Sequence, residues 1–131
     1  MKGAGPARRR VAAAATPAEA RREHWSADAG DRDVATLVIP PHAWRERSFE
    51  VFCRLDVSNQ GRHADATHGL RVLVNGALEW SRRVPTHAGG ADSLDYRLRR
   101  TVPVGQALRL SATAEVHRAL RLGLTITAQE E

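Results

Sequence analysis

The spacing of the apolar residues after residue 33 constrains this chain more than any other feature. From Val34 onward they fall on alternate positions, in short runs broken by turn residues. A period of two puts every second side chain on one face, so each run reads as a half-buried β-strand. "SFEVFCRLDV" (48–57) carries Phe49, Val51, Cys53, Leu55 and Val57 on one face, with Glu50, Arg54 and Asp56 on the other and Phe52 out of pattern. "LRVLVNGALEWSRRV" (70–84) places Asn75-Gly76 between two such runs. A type I′ turn needs positive φ at both central residues, which asparagine and glycine tolerate best. The spacing therefore predicts a hairpin of 70–74 with 77–84, in which Leu78, Trp80, Arg82 and Val84 share one face.

Further runs follow the same rule. "VATLVI" (34–39) is β-branched and stops at Pro40-Pro41, and "LDYRLRRTV" (94–102) sets Leu94, Tyr96 and Leu98 against Asp95, Arg97 and Arg99. "QALRLSATAEV" (106–116) and "ALRLGLTITA" (119–128) each carry an apolar row, the second made of Leu120, Leu122, Leu124 and Ile126. Between these two runs, 112–122 also fits a short helix, because no glycine or proline marks a turn near His117. A pair of strands is the preferred reading there. About seven half-buried strands need a second sheet to cover their apolar faces. The expected fold is an all-β, two-sheet antiparallel sandwich, jelly-roll or immunoglobulin-like, over residues 34–131.

Residues 1–33 differ in kind, being rich in Ala, Arg, Gly and Asp. Thr16 as N-cap, Pro17 at the first helical position and Glu19 at N3 form a capping-box signature. The segment reads as a mobile or helical N-terminal arm, with a short helix over about Pro17–Trp25. The basic start (Lys2, Arg8-Arg9-Arg10) has only the short run 11–15 behind it, less than a secretory apolar region needs, so a cytoplasmic location is expected. No stretch approaches the roughly 18 apolar residues of a membrane-spanning helix. The lone cysteine, Cys53, excludes an internal disulfide and reads as a small core residue.

A pI of 10.9 suggests nucleic acid, but every basic side chain except Lys2 is arginine, which inflates a computed pI, and the net charge is only +5. Nucleic-acid binding is therefore not expected. His63, Asp65 and His68 lie within six residues and are weak metal-ligand candidates, needing a fourth ligand such as His42 or His87 from a converging loop. No G-x-S-x-G, H-E-x-x-H or glycine-rich phosphate loop occurs, so neither catalysis nor a cofactor is expected.

The remaining candidates are contact residues. Arg97 and Arg99 share one side of a strand, while Arg71, Arg83, Arg109 and Arg121 take outward phases on others. If those strands share a sheet, one face is rich in guanidinium groups suited to carboxylates. Trp25 and Trp44 are candidate anchors. The expected function is a non-catalytic interaction or assembly module. It would bind a partner protein, an acidic one by this reasoning, through the Arg-rich face (Arg71, Arg83, Arg97, Arg99) and the arm; a homo-oligomer is compatible with this. The alternative is a carbohydrate-binding module using loop aromatics around Trp44, His68 and His87, although an aromatic content of 5% is low for a sugar-stacking surface. A metal-dependent enzyme is the third reading.

Overall fold

A computed structural model of the chain describes residues 22–131, and every described element is a strand. There are eight of them: β1 (His24–Asp28), β2 (Val34–Ile39), β3 (Arg47–Ser58), β4 (Thr67–Val74), β5 (Ala77–Pro85), β6 (Ala91–Val102), β7 (Leu108–His117) and β8 (Leu120–Glu130). They form two four-stranded sheets. Sheet I has the order β1-β8-β3-β6 and sheet II the order β2-β7-β4-β5. All pairings are antiparallel. The pairs β4·β5, β3·β6, β2·β7 and β1·β8 nest outward from the Asn75-Gly76 turn, like one long hairpin rolled up on itself. No helix among the described residues is long and apolar enough to cross a membrane.

The two-residue period builds the core directly. Phe49, Val51, Cys53, Leu55 and Val57 of β3 are all fully buried, facing Leu70, Val72 and Leu110 of sheet II. Burial pushes the Cys53 thiol up to about 12, so it is a neutral core group rather than a nucleophile. Asn75 and Gly76 have φ of 52° and 83°, the positive pair that a type I′ turn requires. The turn is also tied to its neighbour, since the Asn75 amide donates to the Arg109 carbonyl at 2.8 Å and the Arg109 amide donates to Asn75 Oδ1 at 2.9 Å.

Several expectations are corrected. The strand count is eight, not seven, because "HWSAD" (24–28) pairs with β8 in the register His24↔Gln129 to Asp28↔Thr125. His24 and Trp25 are thus strand residues rather than the end of a helix, and Arg22 and Glu23 before them are not helical; residues 17–21 of the expected helix lie outside the described residues. The segment 112–122 is two strands, but not a hairpin: β7 belongs to sheet II and β8 to sheet I, and the chain crosses between them at Arg118, whose φ is 56°.

Two bulges overturn parts of the alternation. In β5 the register passes from Val72↔Trp80 to Leu73↔Leu78, leaving Glu79 unpaired. One inserted residue reverses the faces that follow it. Trp80 therefore packs inward while Leu78 is 63% exposed. In β8 the register passes from Asp56↔Gly123 to Val57↔Arg121, and Leu122 and Leu120 end up exposed rather than in the core.

Candidate functional site

The three candidate metal ligands do not converge. His68 is buried on β4, where Nδ1 shares a 2.7 Å hydrogen bond with Thr86 Oγ1 and Nε2 has no partner among the described residues. Asp65 points instead to Arg118, at 3.2 Å. His63 is exposed and serves its loop through the backbone: its amide donates to Asn59 Oδ1 at 3.1 Å and its carbonyl accepts from Asn59 Nδ2 at 3.0 Å. The proposed fourth ligands are engaged locally. His42 Nδ1 accepts from the amides of Trp44 and Arg45 at 3.2 and 3.1 Å, and the His87 amide donates to Asp92 Oδ2 at 2.9 Å. Among the described residues no group of three His, Cys, Asp or Glu side chains can hold a metal ion.

The candidate arginines divide between the two sheets. Arg97 and Arg99 lie on β6 in sheet I, Arg71 and Arg83 on β4 and β5 in sheet II. Their outward faces point away from each other across the sandwich, so the four do not make one surface.

On sheet I several charged side chains are met within the chain, although Asp95 and Arg97 form no ion pair among the described residues. Arg97 stacks over the Phe52 ring at 4.3 Å, which accounts for an aromatic on the outer face. Arg99 pairs with Glu131 at 3.1 Å and Arg54 with Asp56 at 3.0 Å. Sheet II is different. Its outward row across β2, β7, β4 and β5 reads Val34, Thr113, Arg71, Ser81; the next reads Thr36, Ser111, Leu73, Leu78. Arg109 follows beside Val38. Arg83 reaches Glu115 at 2.7 Å over Gly69, which is paired with both and has no side chain to intervene. A Cβ on Gly69 would meet the Arg82 carbonyl oxygen at 3.2 Å. Arg71 and Arg109 form no ion pair among the described residues. They flank the Leu73–Ser111 row with exposed Val34 (41%), Val38 (45%) and Leu78 (63%) around them.

The tryptophans separate as well. Trp25 is half-buried against the core, and its Nε1 donates to Glu23 Oε1 at 3.0 Å. Trp44, between β2 and β3, is 87% exposed, with only the His42 ring edge-on at 6.4 Å. Trp80 stacks on Tyr96 at 4.6 Å, closing the sandwich between the edge strands β5 and β6.

One cluster escaped the reading of the sequence. Glu23 binds Arg47 at 2.8 Å and Arg45 at 3.1 Å, and Arg45 also binds Glu130, so two arginines and two glutamates join the start of β1 and the end of β8 to the start of β3. Arg47, with 1% of its side chain exposed, also donates to the Pro40 carbonyl at 2.8 Å. Its position two residues before Phe49, in phase with the β3 core row, is the signal that marks it as inward-facing.

No protein family and no curated protein matches the sequence. Among solved structures, latent dimeric PorU from Porphyromonas gingivalis is a weak likeness, at 17% identity with a TM-score of 0.46 over 84% of this chain. This chain spans 13% of the PorU chain. That likeness bears on neither fold detail nor function.

Proposed function

We propose that this chain is a non-catalytic jelly-roll interaction module whose sheet II outer face binds an acidic, amphipathic segment of a partner protein. The nested strand pairs support the jelly-roll assignment, but a fold does not carry a function. The observation that carries the reading is the sheet II face itself: Arg71 and Arg109 without an ion pair among the described residues, beside exposed Val34, Val38 and Leu78. Carboxylates on the partner would meet the two guanidinium groups, and apolar side chains would cover the rest. This narrows the Arg-rich face to Arg71, Arg83 and Arg109 and leaves Arg97 and Arg99 outside it. The N-terminal arm remains in the proposal as a second contact.

The test is titration of a labelled peptide alternating Glu and Leu, with a Ser/Leu peptide as control. Salt-dependent binding of the acidic peptide is expected, weakened by Arg71→Glu with Arg109→Glu by at least about tenfold, or roughly 1.4 kcal/mol. Arg97→Glu on the opposite face is expected to change nothing. Equal loss from Arg97→Glu, or equal binding of both peptides, would overturn the assignment. The arm is tested by deleting residues 1–21, because a chain starting at Val34 would lose β1.

A second reading, glycan binding, has one favouring observation, the 87% exposure of Trp44. It predicts glycan affinity abolished by Trp44→Ala and indifferent to Arg71→Glu.

A further inference from the structure

A sheet edge exposes unpaired backbone N–H and C=O groups, and proteins blunt such edges with short strands, prolines and bulges. Three of the four edges here are blunted in those ways. β1 has five residues, β2 has six and stops at Pro40-Pro41, and β5 is bulged at Glu79 and ends in Pro85. The fourth, β6, has none of these three devices and is guarded by charged side chains alone. It runs for 12 residues without proline or glycine, in unbroken register with β3 from Arg47↔Val102 to Ser58↔Ala91.

Its charges are divided by position. Asp92 and Asp95 occupy the first half, and Arg97, Arg99 and Arg100 the second. Arg99 and Arg100 already pair with Glu131 and Glu79, but a neutral strand would leave Asp95 and Arg97 without an ion pair, and a parallel copy would align like with like. An antiparallel copy centred on Tyr96 does neither. Asp95 then lies opposite Arg97 of the other copy, Ser93 opposite Arg99, Leu94 opposite Leu98, and Asp92 opposite Arg100. The pairing joins inward positions to inward and outward to outward, as a continuous sheet demands. The adjacent allowed registers fail: centring on Asp95 opposes two aspartates, and centring on Arg97 opposes two arginines. Asp95 and Arg97, both exposed, form no ion pair within the chain among the described residues, whereas Asp92 is already held by the His87 and Ser93 amides at 2.9 and 2.8 Å. The Asp95–Arg97 pair, made twice, therefore sets the register.

We propose that two copies of this chain associate through β6, about a two-fold axis at Tyr96, joining two four-stranded sheets into one continuous sheet. The sheet II outer faces stay free, so this inference does not depend on the binding proposal.

Charge exchange at one pair tests it, read by sedimentation velocity of the full chain over a concentration series. The wild type is expected to show a monomer–dimer equilibrium. Asp95→Arg alone and Arg97→Asp alone each oppose like charges and should weaken dimerisation at least tenfold. The double variant should restore it, and an equimolar mixture of the two single variants should form heterodimers. Both positions are outward-facing, and circular dichroism confirms that each variant is folded. A wild type that stays monomeric throughout, or single variants that dimerise as well as wild type, would overturn the proposal. So would a double variant that is not rescued.

Discussion

The two ends of the sandwich are held by different chemistry. At one end, where β3 begins and β8 finishes, the chain is locked by charge: Glu23 and Glu130 grip Arg45 and Arg47 beside Trp25. At the other, where β3 ends and β6 begins, the bonds are mostly neutral. The Asn59 amide donates to the Gly90 carbonyl at 3.0 Å, the Thr86 amide to Ala66 at 2.8 Å, and His68 meets Thr86 inside. His63, Asp65 and His68, which looked like a metal loop, sit at this end, where they meet Asn59, Arg118 and Thr86 instead. What separates the ends is burial of charge. Arg47 has almost no exposed surface and must have an acid; of the loop groups, His63 and Asp65 face solvent, and buried His68 meets the neutral Thr86 hydroxyl.

That contrast predicts a ranking of effects. Glu23→Gln should cost the most, about 3 kcal/mol in denaturant unfolding, because it leaves the Arg47 guanidinium buried with one fewer counter-charge. A loss under about 1 kcal/mol would mean that water reaches Arg47 and that the two ends are alike. Thr86→Val should cost about 1 kcal/mol, leaving the second His68 nitrogen too without a partner among the described residues. Asp92 gives this end a pH-sensitive element. The His87 amide foremost, with that of Ser93, holds its carboxyl below the ordinary value of 3.8, against the opposing effect of burial. Its contribution is fully present above the ordinary value and is lost as pH falls through the depressed one. Stability measured from pH 5 downward should therefore decline less steeply in Asp92→Asn than in the wild type. Smallest is Arg83→Ala, which breaks an exposed pair at 58% and 48% side-chain exposure and should change stability by less than about 0.5 kcal/mol.

The sequence made the strands readable where one face is covered throughout. The β3 core row, the Asn75-Gly76 hairpin and the β6 alternation all follow from the period of two and the φ needs of a turn. Three things lay beyond it. A bulge is a property of two strands, so the exposure of Leu78 and Leu122 depends on partners that the run itself does not name. β1 is short and polar, and the capping-box pattern just before it favoured a helix over Trp25. The division of the arginines needed strand order, which is non-local: Arg71 and Arg83 fell together because a hairpin joins β4 to β5, while β6 crosses to the other sheet. Of the candidate site, outward phase was legible for each arginine; which guanidinium groups would find an acid was not.

The nesting of strand pairs also dictates a timetable. The β4·β5 turn closes over two residues, Asn75 and Gly76, whereas Trp25 must find Ala128 across nearly the whole chain. Loop closure costs more entropy as the intervening chain lengthens, and topologies built on distant pairings fold slowly. Assembly should begin at the hairpin and wind outward, with β1 docking last. The Glu23–Arg47 lock would then act as a latch: absent while the roll forms, and a brake on its unwinding once closed.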